Sequence, residues 1–367
     1  MDGSYQYLEL HHLPGSTTGS ASEERSCSNT QWNPGNNTLV GGAPRKSPAS
    51  GRFRVLTSGL ASVHGRPRGV GSVKNLLSPP LSGLPETPFE QLVDEAAASL
   101  PGLPEDPSDL LFALDIDGTL LHPGGVTPRV FDALQEAQEV GAHVVIATGR
   151  GVASTAPVVN EVALTHGWTV CSNGALTLRW EGEPEVATRH DFDPREVAEQ
   201  VLQAIPSALL ARDEEALGLL VSAPFPRGEL LFHQVANDLE EVIGRRTTKL
   251  VVRAPEMDRE HFAQMMHLLE LEGCELSVGW TAWADIGPMG VTKASALEDL
   301  AVALGVPSHG TIAIGDGMND IAMLRWAAHG VAMGSADSAV INAADATTGP
   351  VEHDGAAAVI RAVLQQY

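Results

Sequence analysis

The chain has 367 residues, 43% of them apolar, and 23 Lys/Arg against 46 Asp/Glu for a net charge of −23. That length accommodates two or three domains with ample core, and no apolar run approaches the ~20 residues that a bilayer-spanning helix needs. The acidic balance argues against nucleic acid or an anionic membrane as the main partner.

Residues 1–85 are rich in Gly, Ser, Pro, Asn and Thr and show no sustained period, so they read as a disordered low-complexity tail. Eight Lys/Arg and four Asp/Glu give this stretch +4 and leave −27 on the remainder. Its basic residues, among them Arg45, Lys46, Arg52 and Arg54, read as a solvated surface. A translation start near Val70 or Val73 is an alternative account of the tail. The opening residues lack the basic patch and apolar core of a secretory signal. Cys27, Cys171 and Cys274 are odd in number and far apart, which fits a reducing compartment; the expected location is the cytosol. Oligomeric state is left open.

A helix over 88–100 leads through a Pro-rich linker to the apolar run Leu111-Phe112-Ala113-Leu114. An unbroken apolar run is the pattern of a strand covered on both faces, as in a parallel sheet. It ends at Asp115-Ile116-Asp117-Gly118-Thr119. Thr127-Pro128 starts a helix to about Val140. A second buried strand over 142–147 closes on Thr148-Gly149-Arg150, and a third over 168–171 closes on Ser172-Asn173-Gly174. After Gly174 come short alternating strands (175–180, 185–190, 218–223, 249–253, 274–280) and helices near 194–204, 229–243 and 258–271. The alternating pattern resumes at Ile286. Lys293 opens a helix to Leu304, and a buried strand over 311–314 ends in Gly315-Asp316-Gly317-Met318-Asn319-Asp320.

The expected fold is α/β: a doubly wound parallel-sheet, Rossmann-like core with an inserted α+β cap domain. The core is expected in two segments, 86–174 and 286–367, with the insert over 175–285 between them.

Such a fold gathers strand-end clusters at one rim. Asp115 and Asp117 come from the first strand, Thr148 from the second, and Asp316, Asn319 and Asp320 from the strand after the insert. Lys293 comes from the helix that follows the insert. Hard oxygen ligands without Cys or His suit Mg²⁺. A hydroxyl, an ammonium and backbone amides around carboxylates supply what phosphoryl transfer needs. Thr148 and Lys293 are weak signals singly; the ordered set carries the weight. Trp280, Trp283 and Arg253 are possible substrate contacts from the insert, although a Trp in a small domain is more often core.

The residues Asp115-Ile116-Asp117-Gly118-Thr119-Leu120, Ala147-Thr148-Gly149-Arg150, Ser172-Asn173-Gly174-Ala175, Lys293 and Gly315-Asp316-Gly317-Met318-Asn319-Asp320 resemble the motifs of the haloacid dehalogenase superfamily. The resemblance covers about 110–365 and is strongest to the Cof-like branch with a large α/β cap. One departure is Ala294 after Lys293, where the family usually has Gly. The resemblance implies a Mg²⁺-dependent phosphatase acting on a small phosphorylated metabolite. Asp115 would form an aspartyl-phosphate, and Asp117 would serve as general acid and base. Thr148, Gly149 and the amides near Gly118 would hold phosphoryl oxygens. Lys293 would neutralise charge. Asp115, the Asp117 carbonyl and Asp316 would hold the metal, with Asp320 as ligand or orienter. Asn173 and Asn319 would touch phosphate or the coordination shell. A phosphomutase on the same core is the nearest alternative, and a non-catalytic binding protein a more distant one.

Overall fold

The computed structural model describes Gly83 and residues 87–367; the rest of the expected tail lies outside the described residues. The strands run β1 (Leu111–Leu114), β2 (His143–Ala147), β3 (His166–Cys171), β4 (Leu176–Glu181), β5 (Glu183–Arg189), β6 (Leu209–Asp213), β7 (Leu219–Val221), β8 (His233–Val235), β9 (Leu250–Arg253), β10 (Cys274–Val278), β11 (Trp283–Pro288), β12 (Thr311–Gly315), β13 (His329–Ala332) and β14 (Ala346–Thr347). The α-helices are α1 (Phe89–Ser99), α2 (Pro128–Glu139), α3 (Val152–Glu161), α4 (Arg195–Ala204), α5 (Leu239–Ile243), α6 (Arg259–Leu268), α7 (Lys293–Leu304), α8 (Ile321–Trp326), α9 (Ser338–Ile341) and α10 (Gly355–Leu364).

Two sheets result, ordered β14-β13-β12-β1-β2-β3-β4-β5 and β10-β11-β9-β6-β7-β8. From β14 to β3 the first sheet is parallel. The apolar run of β1 explains this layering residue by residue, because successive side chains of a strand point to opposite faces. Leu110, Phe112 and Leu114 pack with α2, α3 and α10. Leu111 and Ala113 pack with α7 and α8 on the other face. Sequence punctuation sets the helix ends: Thr127 Oγ1 accepts from Val130 N at 3.2 Å ahead of α2, and Thr292 and Ser295 form a reciprocal cap on α7. Helix α1 lies against α10 through Leu92, Val93, Ala358 and Ala362, and Phe89 sits beneath the guanidinium groups of Arg129 and Arg361.

In the second sheet, one face is covered by α4, α5 and α6, and the other carries Ala211, Val221, Val251 and Trp283. Three expectations are corrected here. Strands β4 and β5, placed by sequence in the insert that starts at 175, extend the first sheet as an antiparallel hairpin on β3. Strand β11 runs to Pro288 in the second sheet, past the expected return at Ile286. The helix expected over 229–243 is a loop, the edge strand β8 and the five-residue α5, because β8 pairs in parallel with β7 instead of closing helical turns. Among the described residues no helix is long and apolar enough to cross a membrane.

Candidate active site

Strands β12, β1, β2 and β3 are consecutive neighbours, so the loops after them emerge side by side. The pairing Leu114↔Ile314 puts Asp115 and Asp316 just past opposed positions, and Asp115 N donates to the Ile314 carbonyl at 3.1 Å. Beyond Asp115 the chain tightens: the Ile116 carbonyl accepts from the amides of Thr119, Leu120 and Leu121. Thr119 Oγ1 then donates to Asp316 Oδ1 at 3.2 Å.

Lys293 is fully buried, and its Nζ donates to Asp115 Oδ1 and Asp320 Oδ1, both at 2.6 Å. Asp320 Oδ2 accepts from the amides of Asp316 and Gly317, so both oxygens of Asp320 are already bonded. Gly174 lets α7 come close enough to deliver this lysine: a Cβ there would stand 2.2 Å from the Thr292 carbonyl oxygen, and its φ of +105° suits glycine.

Asp115, Asp316 and Asp320 are buried, and ligand oxygens of the three lie within 4.8 Å of one another. Burial pushes the Asp115 carboxyl up to about 7, with Lys293 opposing and the neighbouring carboxylates adding to the rise. Burial and the charges of Asp115 and Asp320 likewise raise Asp316 well above the usual carboxylate range. Burial disfavours the Lys293 ammonium, but Asp115 and Asp320 outweigh it and raise its pKa. Asp316 Oδ2 is buried with no hydrogen-bond partner. Crowded hard oxygens, one of them unsatisfied, fit a divalent cation that takes carboxylate ligands.

On the other side of the loop, Arg150 grips Asp117 through Nε to Oδ2 at 2.7 Å and Nη2 to Oδ1 at 2.6 Å. Its Nη1 donates to the Ser154 carbonyl at 3.2 Å. Thr148 is buried and its Oγ1 accepts from Arg150 N at 3.1 Å, which leaves the hydroxyl proton to donate elsewhere. Arg150 follows the Thr-Gly turn in the sequence, and no role is predicted for it there.

The second sheet reaches into the same place. Lys249 Nζ donates to the Gly149 carbonyl at 2.6 Å, and Ser172 Oγ donates to Asp213 Oδ2 at 2.7 Å. Asn173 Nδ2 donates to Asp285 Oδ2 at 3.3 Å and its Oδ1 accepts from Asn319 Nδ2 at 2.9 Å. Asp213, Lys249 and Asp285 escape sequence reasoning because only the tertiary fold brings them here.

A crevice between the two sheets is lined by Asp115, Asp117, Thr148, Gly149, Asp316 and Asn319 from the predicted set. Lys293 and Asp320 lie buried behind Asp115, and Gly118 and Asn173 are not on its walls. Arg253, expected as a possible substrate contact, is tied instead to Glu229 at 2.8 and 3.0 Å. Trp283 is mostly buried, edge-on to Phe225, while Trp280 is half-buried on the crevice wall.

Residues 112–360 match the family model of haloacid dehalogenase-like hydrolases. The chain belongs to this family. It is 29% identical to the HMP-PP phosphatase of Serratia proteamaculans, over 62% of this chain and 84% of that one. It is also 29% identical to the pyridoxal phosphate phosphatase of Escherichia coli, over 63% of this chain and 89% of that one. Among solved structures, a haloalkanoate-superfamily phosphatase from Bacteroides thetaiotaomicron is similar with a TM-score of 0.59 and 26% identity, over 72% of this chain and 99% of that one. For a haloacid dehalogenase-like hydrolase of the Cof-like type, the first sheet is the core of the fold.

Proposed function

We propose that this hydrolase is a Mg²⁺-dependent phosphatase of small organic phosphomonoesters that works through an aspartyl-phosphate on Asp115. One arrangement carries the reading: three buried carboxylates crowd together at the crevice, with the Lys293 ammonium lodged between two of them. The relatives that act on pyridoxal phosphate and HMP-PP support a phosphorylated metabolite as the substrate class. The second sheet with α4–α6 is proposed as the cap.

Mg²⁺ would be held by Asp115, Asp316 and, from the family resemblance, the Asp117 carbonyl, and it would neutralise phosphoryl charge. The Asp115 carboxylate attacks phosphorus in line while the bond to the alcohol oxygen breaks. Asp117 gives that oxygen its proton, then takes one from the water that cleaves the aspartyl-phosphate and frees both phosphate and Asp115. Thr148 donates its hydroxyl proton to a phosphoryl oxygen. Lys293 carries charge from both Asp115 and the phosphoryl group. Asp320 positions Lys293 rather than binding metal, since its oxygens are spent on Lys293 and two loop amides. The Arg150 grip favours the Asp117 carboxylate, so proton donation requires that grip to be released. An arriving phosphoryl dianion offers Arg150 a competing acceptor.

The test is phosphate release by the full-length protein from a panel of phosphorylated metabolites, with and without Mg²⁺. Metal-dependent release, and a label on Asp115 from a phosphorylated donor, are expected. A phosphomutase would need a bisphosphate activator and release little phosphate. Release that ignores metal or survives Asp115→Asn would overturn the reading.

A further inference from the structure

The crevice has a second end whose chemistry differs from that of the carboxylate cluster. Two apolar segments reach it from opposite edges of the second sheet: residues 230–232 precede the edge strand β8, and Trp280 sits in the turn between β10 and β11. Leu231 and Phe232 are 48% and 46% exposed, although both line a concave wall. Large apolar side chains left wet in a concave site mark a surface awaiting an apolar ligand.

Trp280 is held in place before any ligand arrives. The Arg259 guanidinium stacks on its ring with the carbon 5.6 Å from the centroid. That guanidinium is itself fixed by Nε donation to the Gly279 carbonyl at 2.9 Å and by Nη2 donation to Asp337 Oδ2 at 3.2 Å, the latter on a loop of the first sheet. One face of the indole is thereby occupied, so a flat group stacking on this ring would use the opposite face.

Charge narrows the choice further. Among the described residues that line the crevice, the cations are Arg150, Lys249 and Arg259. Arg150 would be shared between Asp117 and the transferred phosphoryl group, Lys249 lies on the Gly149 carbonyl with Asp285 at 3.6 Å, and Arg259 is paired with Asp337. Of the further acids on the walls, Glu215 is paired with Arg189 and Glu229 with Arg253, which leaves Asp213 and Asp285 towards the crevice. A second phosphate or a carboxylate on the leaving group would meet Asp213 and Asp285, with no wall cation left over once Arg150 serves the transferred phosphoryl group.

We infer that the physiological leaving group is a flat aromatic or heteroaromatic alcohol without a second anionic group, seated on Trp280 and Phe232. This deepens the phosphatase reading and rests on it.

The experiment compares kcat/KM of the full-length protein with Mg²⁺ for benzyl phosphate, cyclohexylmethyl phosphate, glucose 6-phosphate and glucose 1,6-bisphosphate. Benzyl and cyclohexylmethyl phosphates share size and leaving-group type and differ in aromaticity. The benzyl ester is expected to be favoured by about five- to tenfold, the weight of one stacking contact, and the bisphosphate to be the poorest of the four. In Trp280→Ala the benzyl to cyclohexylmethyl ratio is expected to collapse towards one, and in Trp280→Phe to persist. The ratio is taken within one preparation, so partial misfolding of a variant does not move it. Equal rates for the two ring esters, preference for either glucose ester, or an unchanged ratio in Trp280→Ala would overturn this inference alone. Release from none of the four would overturn the phosphatase reading and this inference together.

Discussion

Arg150 and Asp117 meet as two planar groups, joined by two short parallel hydrogen bonds, at the mouth of the carboxylate cluster. The fork geometry cannot be copied by a lysine. In Arg150→Met the grip on Asp117 is gone, and the proton that Asp117 is proposed to donate is held to higher pH. The alkaline limb of the kcat/KM profile on an alkyl phosphate is therefore expected to move upward, with a raised KM. An unmoved limb would remove Arg150 from any part in proton transfer.

Asp115→Asn is expected to cut phosphate release by at least about 10³-fold, as loss of a nucleophile does, with an unchanged far-UV spectrum. Asp117→Asn is expected to cost more on alkyl phosphates than on p-nitrophenyl phosphate, whose leaving group needs no proton. Equal losses on the two substrates would take the general-acid role from Asp117.

Lys293→Met leaves Asp115 and Asp320 facing each other with no cation between them. Removing one partner from a buried charged group costs on the order of 3–5 kcal/mol. Urea unfolding of the metal-free variant is expected to show a midpoint well below that of the parent, and phosphate release is expected to be lost.

Metal binding carries a pH signature. Burial pushes the Asp115 carboxyl from its usual 3.8 up to about 7, so the metal-free native state is expected to hold a proton that the unfolded chain has already lost. Stability of the metal-free protein on this account falls as pH rises from about 4 to about 7. A Mg²⁺ ion bound at the proposed site would have to displace that proton, so its affinity is expected to weaken about tenfold per pH unit below 7 for one proton released. Calorimetric titrations in buffers of different ionisation enthalpy would show the release; a pH-independent affinity would argue that the carboxylates are already ionised.

Gly151 is the N-cap residue ahead of α3, and a Cβ there would stand 2.8 Å from both carboxylate oxygens of Asp213. In Gly151→Ala the Asp213 carboxylate therefore has to shift from its bonds to Glu215 N and to Ser172 Oγ, the latter tying the second sheet to the loop after β3. A raised KM is expected, with a loss of about 1–3 kcal/mol in stability from overpacking. Thermal unfolding and steady-state kinetics would show both; unchanged values would mean that Asp213 yields without cost.

The rim of clustered carboxylates was legible because its signals are local. An apolar run that stops at Asp115, or at Asp316, states both the strand and the end of the strand at which chemistry collects. Arg150 was visible in the same motif, yet its partner across the loop was not. The second sheet was harder. Alternation identified β4 and β5 as strands but carries no information about which sheet they join. Strand β6 was missed because Leu209-Leu210-Ala211-Arg212-Asp213 puts charge where an apolar run would continue, and β8 because all three of its residues are exposed. Lys249 was legible only as the start of an apolar strand, since its contact is a carbonyl a hundred residues away in sequence.

Helix α1 stands before the span that the family model matches, yet Leu92 and Val93 close over Ala358 and Ala362 of the final helix. Trimming the chain back to Leu110 would leave a greasy seam along α10 open to water. The smallest piece that can be handled on its own thus starts upstream of Phe89, and gene-level boundaries drawn from family likeness alone would yield sticky, aggregation-prone material.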